Sequence, residues 1–511
     1  MEERYIAAVD MGTGKIALTV AKISGDDVDI VYYKERPSDG IRNSAVFNPG
    51  KAEGPIREAI AEAEEELKIK IMQVVVGLPR CDVRQEIAQA RVERTNPDES
   101  ITREEVENLK AIAQDEYPLG DPDKDILYGA VAQSFSDDEN FQLIENDIIG
   151  VISQNFEGNF KLFIGKKGAV RTIDKIFNDL GIAIARKYFT PSAQAKAVLT
   201  EDEMNGGVAL VDFGAGATSV TIYQGKILRY YAAIPYGGKI ITEDIRSECG
   251  ISPRLAENIK YAFGACMPEK LLTLGEKTIQ IEGGETEGFK QIPVKYLSEI
   301  ITARVKEILD AVLYEIQQSG LADNLRHGMV ITGGGAKLAN LVSYIKEVSG
   351  YNVRTGKARR KFSAEGIQGI FDPAATTSVG MILSAKEDGL LSCVDPVQEK
   401  VRHGFSFPFW NDEPAAEPVA EPDPEPVEWE DEPVEEPAIP ENAEEGAGAE
   451  LFTEEEAPVI KKKKEKKVKP PKEPKEPRAP RPARPNPIKV TWSKLLDFVD
   501  KTTSDMDKQE L

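Results

Sequence analysis

The sequence predicts an α/β fold in which one structural unit occurs twice, and three observations support this. An apolar strand at 6–9 leads into Asp-Met-Gly-Thr-Gly, and another at 208–211 leads into Asp-Phe-Gly-Ala-Gly. Each copy is followed by a second β-prone segment. A further apolar strand, at 329–331, leads into Thr-Gly-Gly-Gly. Because repetition of a pattern in the same local context rarely arises by chance, we expect a core built from two related halves.

Each copy of the Asp-x-Gly-x-Gly pattern is expected to be a β-hairpin. Its tight turn calls for glycine, which supplies positive φ angles and lets backbone approach closely. Successive N–H groups in such a turn form a concave site for anions. Asp10 and Asp212, at the mouths of the turns, can hold the hydrated divalent cation that accompanies a polyphosphate. One copy alone fits an ordinary Asx/Gly turn equally well, but a pair of such hairpins can bind one nucleotide from both sides.

The glycine-rich segment at 332–335 has a separate expected role. It lies between a predicted strand and a predicted helix start. Glycines at this point would let a flat adenine and its ribose lie against the backbone.

Composition and charge argue against several classes of protein. The formal net charge of −23 disfavours general nucleic-acid binding, although one acidic segment carries much of it. The four cysteines form no C-x-x-C pair, which suits a reducing cytoplasm and gives no metal site. With only two histidines, a Ser-His-Asp triad or a His-rich metal centre is not expected. The charged first residues argue against a signal peptide, and no apolar run approaches the roughly 20 residues of a transmembrane helix.

Hydrophobic periodicity predicts the other elements of the folded region. In the first half these are a helix at 55–68 with Ile56, Ile60, Ala63 and Leu67 on one stripe, and a strand at 71–78. An inserted segment follows at 81–167, with strands at 84–92, 126–133, 148–154 and 160–164 and a helix opened by the capping box of Thr102 and Glu105. A helix at 170–180 and a strand at 182–189 resume the core. The second half has helices at 240–249 and 253–263, a short β-rich insert and a long helix at 294–318, and the folded region ends near 393.

From about residue 396 the composition changes to that of a linker. Residues 412–460 are rich in Asp, Glu and Pro and contain no Lys or Arg, whereas 461–486 are rich in Lys, Arg and Pro. Neither block can bury enough apolar surface to offset the entropy of ordering, so 396–487 is predicted to be disordered. The basic block also fits a simple solubilising spacer.

The last residues, 488–511, are predicted to form an amphipathic helix that targets a membrane. Its apolar face comprises Ile488, Trp492, Leu495, Leu496 and Val499. So short a helix is marginal in water and needs a surface to fold against. Trp and Lys at the boundary suit a bilayer interface. Docking on the chain's own core or on another protein is the alternative.

The three glycine-rich elements, in this order, resemble the actin, Hsp70 and sugar-kinase ATPase superfamily. The segments 190–200 and 372–381 resemble its two connecting helices. Within the superfamily the sequence resembles the FtsA family of bacterial cell-division proteins over residues 4–392. The residues that carry this lie at 193–203, 208–216, 234–238, 244–264, 300–308 and 330–335. The position of the inserted segment, the variable linker and the terminal helix fit that family as well.

The resemblance implies an actin-like duplicated ATPase fold with two lobes and inserted subdomains. The first-lobe core would comprise 1–80, 168–200 and 373–393, with the inserted subdomain at 81–167. The second-lobe core would comprise 201–240 and 301–372, with a smaller subdomain at 241–300.

The resemblance also implies ATP and Mg²⁺ as cofactors. Asp10 and Asp212 would hold Mg²⁺ through water. Phosphates would be bound by Gly12, Thr13, Gly14, Lys15, Gly214, Ala215, Gly216 and Thr218, with Gly237 and Gly238 nearby. Glu257 and Lys260 would meet the ribose, although an exposed i,i+3 ion pair is the alternative. Gly333, Gly334, Gly335 and Lys337 would flank the nucleoside.

Lys196 departs from the superfamily pattern. It stands where actin has the glutamine that orients the attacking water, so we expect Lys196 near the γ-phosphate. A lysine there favours tight binding over fast hydrolysis. At most slow ATP hydrolysis is therefore expected, and no catalytic residue is assigned.

The resemblance implies a peripheral protein on the inner face of the cell membrane at the division site. It would polymerise there, bind anionic lipid and other division proteins, and hold the C-terminal peptide of FtsZ near Arg304 and Lys295. A scaffold for pilus or envelope assembly is the main alternative, and it gives no reason for the terminal helix. A metabolite kinase would need a base for its substrate hydroxyl, usually an Asp, and none stands out. A chaperone would need a substrate-binding domain where the linker lies.

Overall fold

Two five-stranded sheets with the same topology form the core of the computed structural model. The structure describes residues 3–281, 290–359 and 361–395, and the backbone of 487–489. The first sheet has the order β10-β6-β1-β2-β3 and the second β13-β12-β11-β16-β17. Their strands are β1 Arg4–Met11, β2 Lys15–Ser24, β3 Asp27–Pro37, β6 Gln73–Gly77 and β10 Ala183–Tyr188; and β11 Val208–Phe213, β12 Thr218–Gln224, β13 Ile227–Ile234, β16 Met329–Thr332 and β17 Val353–Thr355.

Strand directions confirm the predicted duplication. In each sheet the central strand pairs antiparallel with the next strand of its hairpin and parallel with a strand on its other side. Asp10 lies opposite Ala17, and Asp212 lies opposite Ser219, so each Asp ends its strand just before the turn. A small ribbon of β4 Ile41–Arg42 and β5 Ala45–Val46 follows the first sheet's hairpins.

The first helix begins earlier than the sequence predicted. Helix α1 spans Pro49–Leu67, and the predicted stripe of Ile56, Ile60, Ala63 and Leu67 is buried. The prediction started at Pro55, but Asn48 caps the helix by accepting a hydrogen bond from the Lys51 N–H, and Pro49 takes the first helical position. Proline is tolerated there because that N–H has no partner within the helix.

The inserted segment folds around its own three-stranded sheet, in the order β7-β9-β8. Its elements are β7 Arg84–Glu93, α2 Arg103–Asp115, β8 Asp125–Asp137, the single-turn α3 Glu145–Ile148 and β9 Asn155–Lys166. The predicted capping box of Thr102 and Glu105 is present. The strand predicted at 148–154 is wrong, because Ile148 ends α3 and Gly150 has a φ of 97°, which an extended strand does not accommodate.

Side chains of the inserted segment bind the edge of the second sheet. The Gln85 amide donates to the Tyr231 carbonyl oxygen (2.6 Å) and accepts from the Tyr231 N–H (2.9 Å). Gln133 donates in the same way to the Leu228 carbonyl oxygen, at 3.0 Å. Backbone N–H and C=O groups at the edge of a sheet need hydrogen-bond partners, and here side chains supply them to β13 in place of another strand.

Two helices connect the halves of the molecule and cross closely. They are α5 Thr190–Val198 and α12 Thr376–Glu387. A Cβ atom at Gly380 would lie 2.2 Å from the Ala193 carbonyl oxygen. Only glycine therefore permits this crossing. Helix α4 Lys167–Asp179 lies beside the first sheet, and α6 Glu201–Gly206 packs against β12 of the second sheet.

The second half contains the predicted long helix with its predicted bounds. Its elements are α7 Gly238–Cys249, α8 Pro253–Phe263, α9 Leu272–Gly275, β14 Thr278–Ile281, β15 Lys290–Pro293, α10 Val294–Gln318 and α11 Leu341–Ser349. Short 3-10 turns lie at 268–270, 322–324, 334–337 and 373–375. No helix among the described residues is long and apolar enough to cross a bilayer.

The chain beyond the core is anchored at the first sheet. The Cys393 N–H donates to the Tyr5 carbonyl oxygen (2.6 Å), and the Met72 N–H donates to the Cys393 carbonyl oxygen (2.9 Å). The predicted linker from 396 to 486 lies outside the described residues.

A last strand, β18 Pro487–Lys489, pairs parallel with β14. The prediction that the terminal helix starts at Ile488 is therefore wrong, because the open edge of β14 holds this residue in an extended backbone. The remaining residues of the predicted apolar face, Trp492, Leu495, Leu496 and Val499, lie outside the described part.

Candidate functional site

A cleft of about 900 Å³ opens where the turns of the two repeated hairpins meet. Most of the predicted site residues line it, from both halves of the molecule. They are Asp10, Gly12, Thr13, Gly14, Lys15, Asp212, Gly214, Ala215, Gly216, Gly238, Glu257, Lys260, Gly333, Gly334, Gly335 and Lys337. Local sequence patterns far apart in the chain therefore converge on one cavity.

The turn glycines are required for close approach and not, as expected, for positive φ angles. None of Gly12, Gly14, Gly214 and Gly216 has a positive φ. A Cβ on Gly216 would lie 2.5 Å from the Thr13 hydroxyl oxygen, and one on Gly14 would lie 2.8 Å from the Cβ of Ala215. The two turns thus touch each other, and any side chain at these glycines would separate them.

The third glycine segment packs against the second hairpin. Gly333 has a φ of 84°, and a Cβ there would lie 2.1 Å from the Asp212 carboxylate. Gly335 packs on Phe213, whereas a Cβ on Gly334 would meet nothing within 4 Å. The backbone at Gly334 is thus open, as a surface for a flat ligand must be.

The carboxylate of Asp212 is bound by two side chains that the sequence analysis missed. Arg80 forms an ion pair with it, and the Gln194 amide donates to it at 2.9 Å. Arg80 also donates to the hydroxyl oxygens of Thr190 (3.2 Å) and Thr377 (2.8 Å). Thr190 is the first residue of α5, and Thr377 is the second residue of α12. All of these side chains line the cleft.

Charge inside the cleft is unevenly compensated. Burial raises the pKa of Asp10, although the cations of Arg80 and Lys15 oppose that shift. Burial alone would lower the pKa of Arg80, but the carboxylates of Asp212 and Asp10 outweigh it, and the pKa is raised. Asp10 therefore remains a poorly solvated carboxylate, the kind of group that gains from a bound cation.

The remaining lysines in the cleft have protein partners. Lys15 donates to the Tyr33 hydroxyl (3.1 Å) and pairs with Glu35. Lys239 donates to the Thr13 carbonyl oxygen at 2.7 Å and so joins the second half to the first turn. Burial lowers the pKa of Lys239.

The prediction for Lys196 is wrong. Its ammonium pairs with Glu387 on the outside of the molecule, and the residue does not line the cleft. Gln194 is the side chain of helix α5 that reaches the cleft, where it also donates to Thr376 and Thr377. Residues two apart on a helix point about 200° apart, so only one of the two can face the site.

Two other predicted phosphate contacts support the second turn from outside the cavity. The Thr218 hydroxyl is fully buried and donates to the Tyr236 carbonyl oxygen at 2.9 Å. A Cβ on Gly237 would lie 2.4 Å from the Gly214 carbonyl oxygen. Neither residue lines the cleft, so their predicted contact with phosphate is corrected to a supporting role.

Glu257 and Lys260, predicted to meet the ribose, form the ion pair that was the alternative to that contact, at 2.8 Å, and both line the cleft. The Lys260 ammonium also donates to the Gly238 carbonyl oxygen and the Thr242 hydroxyl, and burial lowers its pKa. Glu257 is half exposed and keeps a face toward the cavity. At the far end, Lys337 pairs with Asp372 and donates to the hydroxyl of Tyr261, an aromatic side chain that the prediction did not include.

Arg304 and Lys295 do not form a single basic patch. Both lie on α10, but they are nine positions, or about two and a half turns, apart, which puts them on opposite sides. Arg304 donates to both carboxylate oxygens of Asp244, at 2.6 and 3.0 Å, whereas Lys295 is exposed. An acidic peptide at Arg304 would have to compete with Asp244.

A signal for the missed arginine was present in the sequence. Arg80 follows β6, which runs parallel to β1, and the carboxyl ends of parallel neighbours meet at one edge of a sheet. The residues after β6 therefore had to lie beside the first phosphate turn. Gln194 could have been found from its place four residues after Thr190, on one face of the same helix.

Comparison with known proteins agrees with this architecture. The family model "Cell division protein FtsA" matches residues 209–380. The cell division protein FtsA of Neisseria meningitidis serogroup B is 30% identical over 392 residues, covering 75% of this chain and 91% of that protein. FtsA of Streptococcus pneumoniae serotype 2 is 29% identical over 353 residues, covering 69% and 75%.

Among solved structures, a chain of the PilM-PilN type IV pilus biogenesis complex matches with a TM-score of 0.51 and 16% identity, covering 74% of this chain and 98% of that one. That likeness shows the fold alone, which is the predicted actin-like ATPase fold. The extent of the sequence matches, together with the paired glycine turns, shows that this chain belongs to the family of the cell division protein FtsA.

Proposed function

We propose that this chain binds ATP with Mg²⁺, polymerises on the inner face of the cytoplasmic membrane at the division site, and tethers FtsZ filaments there. The observation that carries the proposal is the single cleft onto which both Asp-x-Gly-x-Gly turns and the 333–335 segment open. Family membership supports a role in cell division, and the residues that line the cleft support the binding of a nucleotide.

The residues in the cleft fit a nucleotide with its cation. Backbone N–H groups of 12–14 and 214–216 can donate to phosphate oxygens from both sides. Asp10 has a raised pKa and therefore gains from a nearby cation, which Mg²⁺ would supply while neutralising phosphate charge. Gly334 leaves space for the base, and Tyr261 and Lys337 stand beside it.

Because Lys196 lies outside the cleft, it cannot be the cause of slow hydrolysis. Slow turnover was expected because a lysine replaced the glutamine that positions water, but Gln194 is the residue of α5 in the cleft. Its amide nitrogen is already bound by Asp212 and two threonine hydroxyls. We therefore still propose turnover that is slow relative to binding, now because Gln194 is held by its neighbours.

Nucleotide binding is tested by isothermal titration with ATP and ADP, with Mg²⁺ and with EDTA. Asp10→Ala should remove the part of the affinity that depends on Mg²⁺. Lys196→Gln is the matched control, because its side chain lies outside the cleft and its loss should leave affinity unchanged. Mg²⁺-ATP binding to Asp10→Ala as tight as to the parent would contradict the assignment.

Membrane attachment is proposed to need both the terminal segment and anionic lipid. Each Lys or Arg near an anionic surface can add about 1 kcal/mol, and the block at 461–486 can supply several. Polymers would multiply weak anchors into firm attachment. Co-sedimentation with vesicles should fail for Trp492→Glu and for a chain ending at Pro487.

Varying the lipid composition separates the contribution of the terminal segment from that of the basic block at 461–486. Replacing Lys461, Lys462, Lys463 and Lys464 with Gln should weaken binding to anionic vesicles only, and more at low salt. An equal loss on neutral vesicles would show that the basic block acts only as a spacer.

The docking of FtsZ is proposed on the surface of α10. Acidic peptides are recognised by exposed cations, and Lys295 is exposed whereas Arg304 is engaged by Asp244. Because the two cations lie on opposite sides of α10, fluorescence titration of an FtsZ C-terminal peptide should show weaker binding to Lys295→Gln or to Arg304→Gln but not to both, with ATP affinity unchanged in each. Unchanged peptide affinity in both variants would place the docking site elsewhere.

A further inference from the structure

Arg80 contacts the second-half hairpin and both connecting helices from within the cleft. It lies in the loop after β6, with 15% of its side chain exposed. Its guanidinium binds the carboxylate of Asp212, the hydroxyl of Thr190 at the start of α5 and the hydroxyl of Thr377 at the start of α12. The nucleotide site as assigned from the glycine turns gives this arginine no role.

The chemistry of the group limits what it can do. A guanidinium cannot lose its charge in a protein, so in this buried position it must always have an anionic partner. Its planar fork fits a phosphate as well as a carboxylate, with two parallel hydrogen bonds. Two other cations face the turns: Lys15, which is held by Glu35, and Lys239, which donates to the Thr13 carbonyl oxygen. Arg80 differs from both because its partner, Asp212, is itself a proposed Mg²⁺ ligand.

We propose that Arg80 senses the terminal phosphate of the nucleotide, exchanging Asp212 for the γ-phosphate when ATP is bound. The inference rests on the proposed function and adds to it the residue that distinguishes ATP from ADP. With ATP, the guanidinium turns to the γ-phosphate and the Asp212 carboxylate becomes free to bind the hydrated cation. With ADP that phosphate is missing, and Arg80 stays on Asp212.

The exchange has a mechanical consequence because Thr190 and Thr377 lie in the first turns of the two helices that cross at Gly380. A guanidinium that turns toward the nucleotide must lengthen or break its hydrogen bonds to these hydroxyls. Occupancy of the γ-phosphate position is thereby coupled to the helices that join the two halves. The same side chain would bind the phosphate and shift the two connecting helices.

The test is a set of affinities for ATP and ADP, in Mg²⁺, for the full chain and three variants. Arg80→Gln should weaken ATP binding at least about 10-fold and ADP binding less than about threefold, because a hydrogen bond to a charged group is lost only with ATP. Arg80→Lys keeps the charge without the fork and should fall between. Arg84→Gln is the matched control, since Arg84 pairs with Asp125 outside the cleft.

A second readout separates sensing from folding. Hydrogen exchange of α5 and α12 should differ between the ATP and ADP complexes of the parent, and Arg80→Gln should remove the difference. Should Arg80→Gln fail to fold, Arg80→Lys carries the test, and an unchanged ATP-to-ADP ratio in it overturns the inference. Equal losses for both nucleotides overturn it too.

The possible failures point to different conclusions. A parent chain that binds neither nucleotide overturns the proposed function, and this inference with it. A parent that binds both, with affinities that Arg80→Gln does not change, overturns only the role of Arg80.

Discussion

The two repeated hairpins have the same strand topology, but their carboxylates have different side-chain partners. Asp212, in the second, is bound by Arg80 and Gln194, which belong to a loop and a helix outside the hairpin. Asp10, in the first, has a pKa raised by burial and only partly offset by the charges of Arg80 and Lys15. Duplication thus repeats the turn proposed to bind phosphate, whereas the elements around each copy decide which carboxylate has direct side-chain partners and which does not.

The largest expected effect comes from removing the satisfied carboxylate. Asp212→Asn removes the carboxylate that pairs directly with the buried Arg80 and leaves only the charge of Asp10 nearby. Breaking one side of such a buried pair costs about 3 kcal/mol. Urea denaturation should show the loss in the nucleotide-free protein. A free energy of unfolding within experimental error of the parent would mean that the ion pair contributes little.

The contact between the turns should be the next most sensitive feature. Gly216→Val would place its side chain on Thr13, so we expect a loss of about 1–3 kcal/mol from overpacking together with greatly weakened nucleotide binding. Gly168→Ala is the control, since a Cβ there meets nothing within 4 Å. If Gly216→Val keeps nucleotide affinity, the turns need not touch in the bound state.

Neutralising the carboxylate of Asp10 should raise the stability of the protein, in contrast to neutralising that of Asp212. Because the pKa of Asp10 is raised in the folded chain, its ionised form costs stability above the ordinary Asp pKa of about 3.9. Asp10→Asn should therefore raise Tm by a few degrees at pH 7, while weakening Mg²⁺-dependent nucleotide binding. The gain should shrink as the pH falls toward 4, where Asp10 of the parent becomes protonated. A Tm below that of the parent at pH 7 would contradict this asymmetry.

The smallest effect concerns the threonines of the two hairpins. Thr218→Val removes a buried hydrogen bond to Tyr236 and should cost about 1 kcal/mol without changing nucleotide affinity. Thr13→Val removes a hydroxyl that accepts from the Ser44 N–H and lines the cleft, so it should weaken binding as well. Calorimetry and titration on both variants would show whether only Thr13 belongs to the site.

Much of the fold could be predicted because the signals are local. The bounds of α8 and α10 follow from Pro253 and from apolar periodicity, and the duplication follows from the repeated turns. Predictions failed where a cap or a single backbone angle decided the result, as at Asn48 and Gly150.

Site residues, too, could be predicted where a local motif determines them and not where a distant partner does. Glycines at 12–14, 214–216 and 333–335 were predicted, because a short motif fixes their backbone. Arg80 and Gln194 were not, because their importance depends on a partner more than a hundred residues away or on which side of a helix is buried. Lys196 was assigned wrongly for the same reason, since motif alignment does not tell which side of α5 faces inward.

The anchoring of Cys393 on the first sheet and the pairing of β18 with β14 together decide how a pull on the tail would act on the molecule. The tail leaves the core beside Tyr5, at the start of β1, whereas the cleft lies at Asp10, roughly 17 Å farther along that strand at 3.3–3.4 Å per residue. Tension applied beyond Lys489 would first load the pairing of β18 with β14 in the second half, and only after that strand detached would it reach the first sheet, at the end remote from the cleft. A filament under load could be held by its tails and still exchange what its clefts contain.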